Sequence, residues 1–227
     1  MHSWAHTADG VLRRAEWTTQ PGGSAWALLR LLLCLILFGL FYGAVMGTFR
    51  GLAGQPQWQE QIIFSAIKVP MLLSISFCLS LPSFFVLSSL LGLRRDFVQA
   101  VRSLVAAQTG LAITLTALAP LTLLWYASSA NYAEALLFNG IVFAAASLAA
   151  QFLLRCYYRP LIARNPRHRI LLIGWGSVYS LVAIQLAWLL RPFVGSPGNE
   201  VQFLRPEAWD NAYVVVCRLI WQAIWQQ

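Results

Sequence analysis

Five stretches of this chain run for 19 residues or more without a single Asp, Glu, Lys or Arg, and the charges between them act as rulers. Residues 31–49, 69–93, 103–133, 135–154 and 170–190 are uncharged over 19, 25, 31, 20 and 21 positions respectively. A hydrocarbon core of about 30 Å takes about 20 apolar residues at helical rise, so each run is long enough to cross a bilayer. The runs are continuous rather than alternating at every second residue, which points to helices and not to barrel strands. Composition agrees: residues of the set AVILMFWYC make up 59% of the 227 and DEKR only 11%, against about 25% charged in a soluble domain. A soluble enzyme core, a disulfide-rich scaffold and a disordered chain are all excluded.

The predicted fold is all-α, an integral membrane bundle of five transmembrane helices over about 31–49, 69–93, 103–127, 135–154 and 170–190. Residues 1–24 are read as a short cytoplasmic segment, 25–191 as the five-span domain and 192–227 as a turn followed by an amphipathic helix. That last helix carries Glu207, Asn211, Arg218 and Gln222 along one polar stripe. As a sixth span it would place Arg218 near mid-membrane at a cost of about 2.5–3.5 kcal/mol, whereas an interfacial helix avoids this. Trp26, Trp58, Trp125 and Trp188 lie near span ends, where an apolar ring with one N–H suits the headgroup boundary. The first run begins too late and is too long for a usual cleaved signal peptide, so it is expected to persist as a span.

Of the sixteen Lys and Arg residues, eleven fall in the N-terminal segment and the second and fourth loops, and five in the other loops and the tail. Basic loops are retained on the cytoplasmic side, which predicts a cytoplasmic N-terminus and an exported C-terminus. Lys68 is the one lysine beside fifteen arginines, a balance that fits a GC-rich genome. The net charge of +8 follows from the same asymmetry and is not read as a nucleic-acid footprint. Its densest part is Arg155, Arg159, Arg164, Arg167 and Arg169, with no acid among them. These are expected to anchor the topology and to meet anionic lipid headgroups or an acidic partner, each cation near such a leaflet being worth about 1 kcal/mol. Lys68 lies beyond the 20 residues that reach back from Arg94 to Ser74, so it is expected to snorkel into the outer headgroups.

Within the spans, Gly39, Gly43, Gly47 and Gly51 recur every fourth residue and form one helical stripe. Small residues let helix backbones approach closely in lipid, so the stripe is expected to pack on a neighbouring span or on a second copy. Weaker versions occur at Ala106, Gly110 and Thr114, and at Gly140 and Ala144. Pro70, Pro82 and Pro120 are expected to kink their helices, with Ser76, Ser80 and Ser83 near the carbonyl that Pro82 frees. Gln108, Asn139, Gln151 and Gln185 are the intramembrane amides and are expected to hydrogen-bond between helices. No Asp or Glu stands at the middle of a span, so a carboxylate proton relay is not expected.

The chain carries no GxSxG, no HExxH and no glycine-rich phosphate loop. His2, His6 and His168 are dispersed, and Cys34, Cys78, Cys156 and Cys217 show no CxxC spacing, so neither a metal site nor any other cofactor is expected.

The stretches KVPMLLSISFCLSLPSFFVLSSLLGL (68–93), APLTLLWYASSANY (119–132), RPLIARNPRHR (159–169) and QLAWLLRPFVGSPG (185–198) together resemble a group of bacterial polytopic membrane proteins. In architecture that group is loosely similar to the Yip family of Rab-interacting membrane proteins. The resemblance spans about residues 30–220 and implies a five-span bundle of a bacterial cytoplasmic membrane, with a cytoplasmic N-terminus and a membrane-organising or adaptor role. A long acidic cytoplasmic region of the eukaryotic kind is absent, since Met1 to Ser24 holds only Asp9 and Glu16. The function expected from residues and resemblance together is a non-catalytic scaffold or accessory subunit of a membrane complex. It would associate with the lipid bilayer and with other membrane subunits or a second copy. A small-solute transporter or channel is the alternative, and a lipid-acting membrane enzyme the third.

Overall fold

In hydrocarbon a backbone must satisfy its own N–H and C=O groups, and this chain does so with helices that run well past its apolar stretches. The computed structural model describes residues 4–18, 25–195, 200–204 and 214. Among them are helices α1 (Trp4–Leu12), α2 (Ala25–Leu52), α3 (Trp58–Leu90), α4 (Phe97–Ser128), α5 (Tyr132–Arg164) and α6 (Arg167–Leu190), and no strand. Helices α2 to α6 are the five long and apolar enough to cross a membrane. Of the amphipathic helix expected beyond Glu207 only Val214, helical and exposed, is among the described residues.

Apart from Arg94 and Arg191, the charges used as rulers do not end the helices. Arg50, Arg102, Arg155, Arg159 and Lys68 all lie on helices, because a charged side chain at a membrane boundary leaves the backbone hydrogen bonds intact. Nor is the segment before α2 a detached tail. Val11 of α1 is fully buried in the main core, and the Tyr157 hydroxyl donates to its carbonyl at 2.6 Å.

Helix α2 is sandwiched between α3 and α4. On one side its glycine stripe lies against the first half of α3: Gly39 on Pro70, Gly43 on Ser65 and Ala66, Gly47 on Ile62 and Gly51 on Trp58. This is intramolecular packing, the first of the two arrangements the stripe allowed. Leu35, one turn earlier, shares the register and is buried. On its other side α2 runs parallel to α4. Thr109 donates to the Leu31 carbonyl at 3.1 Å and Thr116 to the Phe38 carbonyl at 3.0 Å, two turns apart at one constant offset. Helix α5 returns antiparallel along α4, with Gly110 facing Leu153, whereas Gly140 faces open space and marks no contact.

Helix α6 follows α5 after only Asn165 and Pro166, and the Asn165 side chain accepts the Arg167 amide at 3.0 Å. It then leaves α5 and packs along α3, with Gly174 on Leu87 and the Trp175 ring 6.3 Å from Phe77 and 6.2 Å from Phe84. Buried residues make up 67% of the most apolar window of α4 but only 22% in α5 and 17% in α6. Leu148, Phe152 and Ile173 are each more than 70% exposed on that thinly covered side. An apolar surface of this extent is at ease only in lipid or against another chain.

Pro70, Pro82 and Pro120 lie inside α3 and α4, and Pro160 lies inside α5. Ser80 donates to the Ser76 carbonyl at 2.7 Å rather than to the Cys78 carbonyl that Pro82 leaves without its usual donor.

Candidate functional site

Three polar groupings stand out in this apolar bundle, and they differ in whether their own residues satisfy them. The first is closed. Asn139 is buried, its amide nitrogen donates to the Tyr126 hydroxyl and to the Ala135 carbonyl, and its amide oxygen accepts from Tyr42 at 3.3 Å. It joins α2, α4 and α5, the interhelical role expected of a membrane amide. With both ends of the amide occupied, it offers little to a ligand.

The second grouping runs along the start of α3, where Gln61, Ser65 and Lys68 share one face at spacings of 4 and 3 residues and Gln57, the residue before the helix, precedes them by 4. Lys68 does not snorkel: it is fully buried, and its ammonium donates to the Pro192 carbonyl at 2.8 Å and lies 5.2 Å from the Phe203 ring centroid. Ser65 and Gln61 both donate to the Phe193 carbonyl, and the Gln57 side-chain oxygen accepts the Val201 amide at 3.4 Å. A β-carbon at Gly195 would come within 2.9 Å of Gln61, and its φ of +77° also calls for glycine there. The stripe clamps the chain that follows α6, so its role is structural. Polar residues recurring every three or four positions were the sequence signal for it.

The third grouping is open. Just above their turn, α5 and α6 flank a groove of about 770 Å³ lined by Arg155, Arg159 and Arg169 among Phe152, Ile162 and Ile173. No acid lines it. The five arginines of this region therefore divide. Arg164 donates to the Gln99 side chain at 3.2 Å and Arg167 to the Leu91 carbonyl at 3.3 Å, tying the α5–α6 turn to the start of α4 and the end of α3. His168 joins this tie, fully buried with Nε2 3.2 Å from an Asp96 carboxylate oxygen. Arg155, Arg159 and Arg169 are left around the groove, and all three are exposed.

Further along the same seam a second space of about 260 Å³ lies between α4, α5 and α6. Gln108 and Gln151 both line it, so two of the four intramembrane amides meet at one place. Gln185 is half-buried elsewhere on α6 and is not among the lining residues. Gln108 is 5% exposed, and its amide oxygen has no hydrogen-bond partner. Trp175, 2% exposed, also lines the space, and its indole N–H is likewise unpaired.

No group of three or more His, Cys, Asp or Glu side chains placed to hold a metal occurs among the described residues. The fold and its apolar exterior define a multi-pass helical membrane protein. Comparison with family models, curated proteins and solved structures finds no match to the chain.

Proposed function

We propose that this protein is a non-catalytic scaffold or accessory subunit of a bacterial cytoplasmic membrane, and that its α5–α6 groove holds an anionic lipid headgroup at the cytoplasmic face. The observation that carries this reading is the division of the arginines. Two are spent on ties between loops, while Arg155, Arg159 and Arg169 surround an apolar-walled groove with no acid to neutralise them. A phosphate among three guanidinium groups gains charge-assisted, bidentate hydrogen bonds, and acyl chains find the apolar wall beside them. The thin packing of α5 and α6 supports the scaffold role, since it leaves a face free for another subunit.

Changing Arg155, Arg159 and Arg169 together to glutamine is expected to reduce co-purified anionic lipid about tenfold or more, from about 1 kcal/mol per cation. Native mass spectrometry from mild detergent reads this directly. Retention of lipid at the parent level by a folded variant would refute the groove reading. Affinity purification from the same membranes is expected to bring down reproducible partner subunits.

Orientation is tested separately. Reporter fusions after Gln20 are expected to signal from the cytoplasm, and those at residues 128–133 and after Gln227 from the exported side. A cytoplasmic signal at 128–133 would reverse the assignment. Transport of a small solute is the second reading, favoured by the amide-lined space between α4, α5 and α6, and solute flux through a purified monomer would support it.

A further inference from the structure

We infer that the α5–α6 groove selects a lipid whose headgroup is a bare terminal phosphate over lipids whose phosphate carries a further substituent. The inference rests on the lipid-holding reading of the groove and adds which headgroup it holds.

The cations stand on both walls of the groove. Arg155 and Arg159 lie one turn apart on α5, a spacing that puts two side chains on one face with β-carbons about 5–6 Å apart. Arg169 comes from the first turn of α6. All three are exposed, so each guanidinium can turn towards an anion between the helices. A phosphate joined to one carbon keeps three free oxygens and a charge of about −1.5 to −2 at neutral pH. A phosphodiester keeps two free oxygens and a single charge. Three guanidinium groups therefore match the monoester better, in oxygens and in charge.

The rest of the lining points the same way. Beside the arginines and the Cys156 thiol, every lining residue is Phe, Ile, Leu or Ala. The substituent of a phosphodiester headgroup ends in hydroxyls or an ammonium, which are donors and need acceptors. No lining side chain is a carboxylate, an amide or a hydroxyl, and a thiol accepts only weakly. An ammonium would also meet three like charges. A bare phosphate brings acceptors to a groove that supplies donors, and it leaves the apolar wall of Ile162, Leu172 and Ile173 to the chain.

The test uses the full chain in phosphatidylcholine nanodiscs that contain dioleoyl phosphatidic acid or dioleoyl phosphatidylglycerol at equal fractions. Native mass spectrometry counts bound lipid. Cys156, half-buried on the groove wall, reads occupancy through its rate of alkylation by N-ethylmaleimide, resolved by peptide mapping. Phosphatidic acid is expected to bind about tenfold more tightly, the value of one further charge-assisted hydrogen bond, and to slow that alkylation. Its affinity should rise between about pH 5 and pH 8, as the second phosphate proton leaves near pH 6. The groups that face it, Arg155 and Arg159 of α5 and Arg169 of α6, stay charged throughout. Phosphatidylglycerol keeps one charge over that range, so it reports any change arising in the protein, at Cys156 or at the His168–Asp96 pair. Glycerol 3-phosphate carries the same phosphate without chains and should protect Cys156 only weakly. Protection equal to that by phosphatidic acid would assign the site to a soluble phosphate and overturn the inference. Equal binding of the two lipids, or an equal response to pH, overturns it as well and leaves the groove reading intact. That comparison needs no variant. Undiminished binding of both lipids by the triple Arg→Gln variant removes the groove reading and the inference with it.

Discussion

Replacing Gly43 with isoleucine will destabilise the bundle by about 3 kcal/mol, the upper end of the usual cost of overpacking. A β-carbon at this position would lie 2.3 Å from the Ser65 carbonyl oxygen and 2.8 Å from the Ala66 Cα. Both are backbone atoms of α3, so no side chain can rotate away and the two helices must separate. Gly47 behaves alike, with a β-carbon 2.5 Å from Ile62 Cα. The stripe is graded beyond these two. Gly39 meets the Pro70 ring at 3.2 Å, and Gly51 meets Trp58 only at the ordinary distance of 3.5 Å. Alanine should therefore be harmful at 43 and 47, mild at 39 and neutral at 51. Thermal aggregation in detergent measures the series, with Leu37→Ile, at an exposed position, as the control. Helix content should persist, because the bilayer still requires each span to satisfy its own backbone. Equal stability of Gly43→Ile and Gly51→Ala would show that α2 and α3 do not meet through this face.

Lys68→Met will release the segment that follows α6. The ammonium donates to the Pro192 carbonyl at 2.8 Å, and a buried carbonyl that loses such a donor costs about 1–3 kcal/mol. Methionine keeps most of the volume and the apolar stem, so the change is chiefly in charge and hydrogen bonding. Amide exchange across residues 193–195 and 200–204 is expected to accelerate about tenfold or more, with little change in α2 and α4, because local opening is governed by the contacts that hold the segment. Ser65→Ala should do less, since Gln61 also donates to the Phe193 carbonyl. Exchange that rises throughout α3 while 193–195 and 200–204 stay protected would instead make Lys68 a residue of the helix and not of the clamp.

Both effects depend on where a residue lies relative to its neighbours rather than on what it is. Lys68 shows the difference. Counted along the chain it falls beyond a 20-residue span, which favours a snorkelling side chain, yet the structure brings Pro192 and Phe203 back against it, and it is completely buried. No spacing rule indicates which loop returns to cover a helix face. The arginines show it again. All five are alike in sequence, and only the turn at Asn165 and Pro166, with α6 leaving α5 for α3, separates the two that tie loops from the three around the groove.

The sequence alone determined the five helices, their apolar character and the close-packing face of α2. These follow from local rules: a bilayer demands about twenty apolar residues and internal hydrogen bonds from each span, and a glycine every fourth residue removes side chains from one stripe whatever lies opposite. The tertiary structure decided what lies opposite, namely that α3 meets the glycines, that α4 lies parallel to α2 through Thr109 and Thr116, and that Gln108 and Gln151 share a space while Asn139 is closed off by Tyr42 and Tyr126. In lipid the spans are about equally apolar, so hydrophobicity does not choose among partners. Shape and the pairing of a few polar groups make that choice, and both become visible only when the helices are side by side.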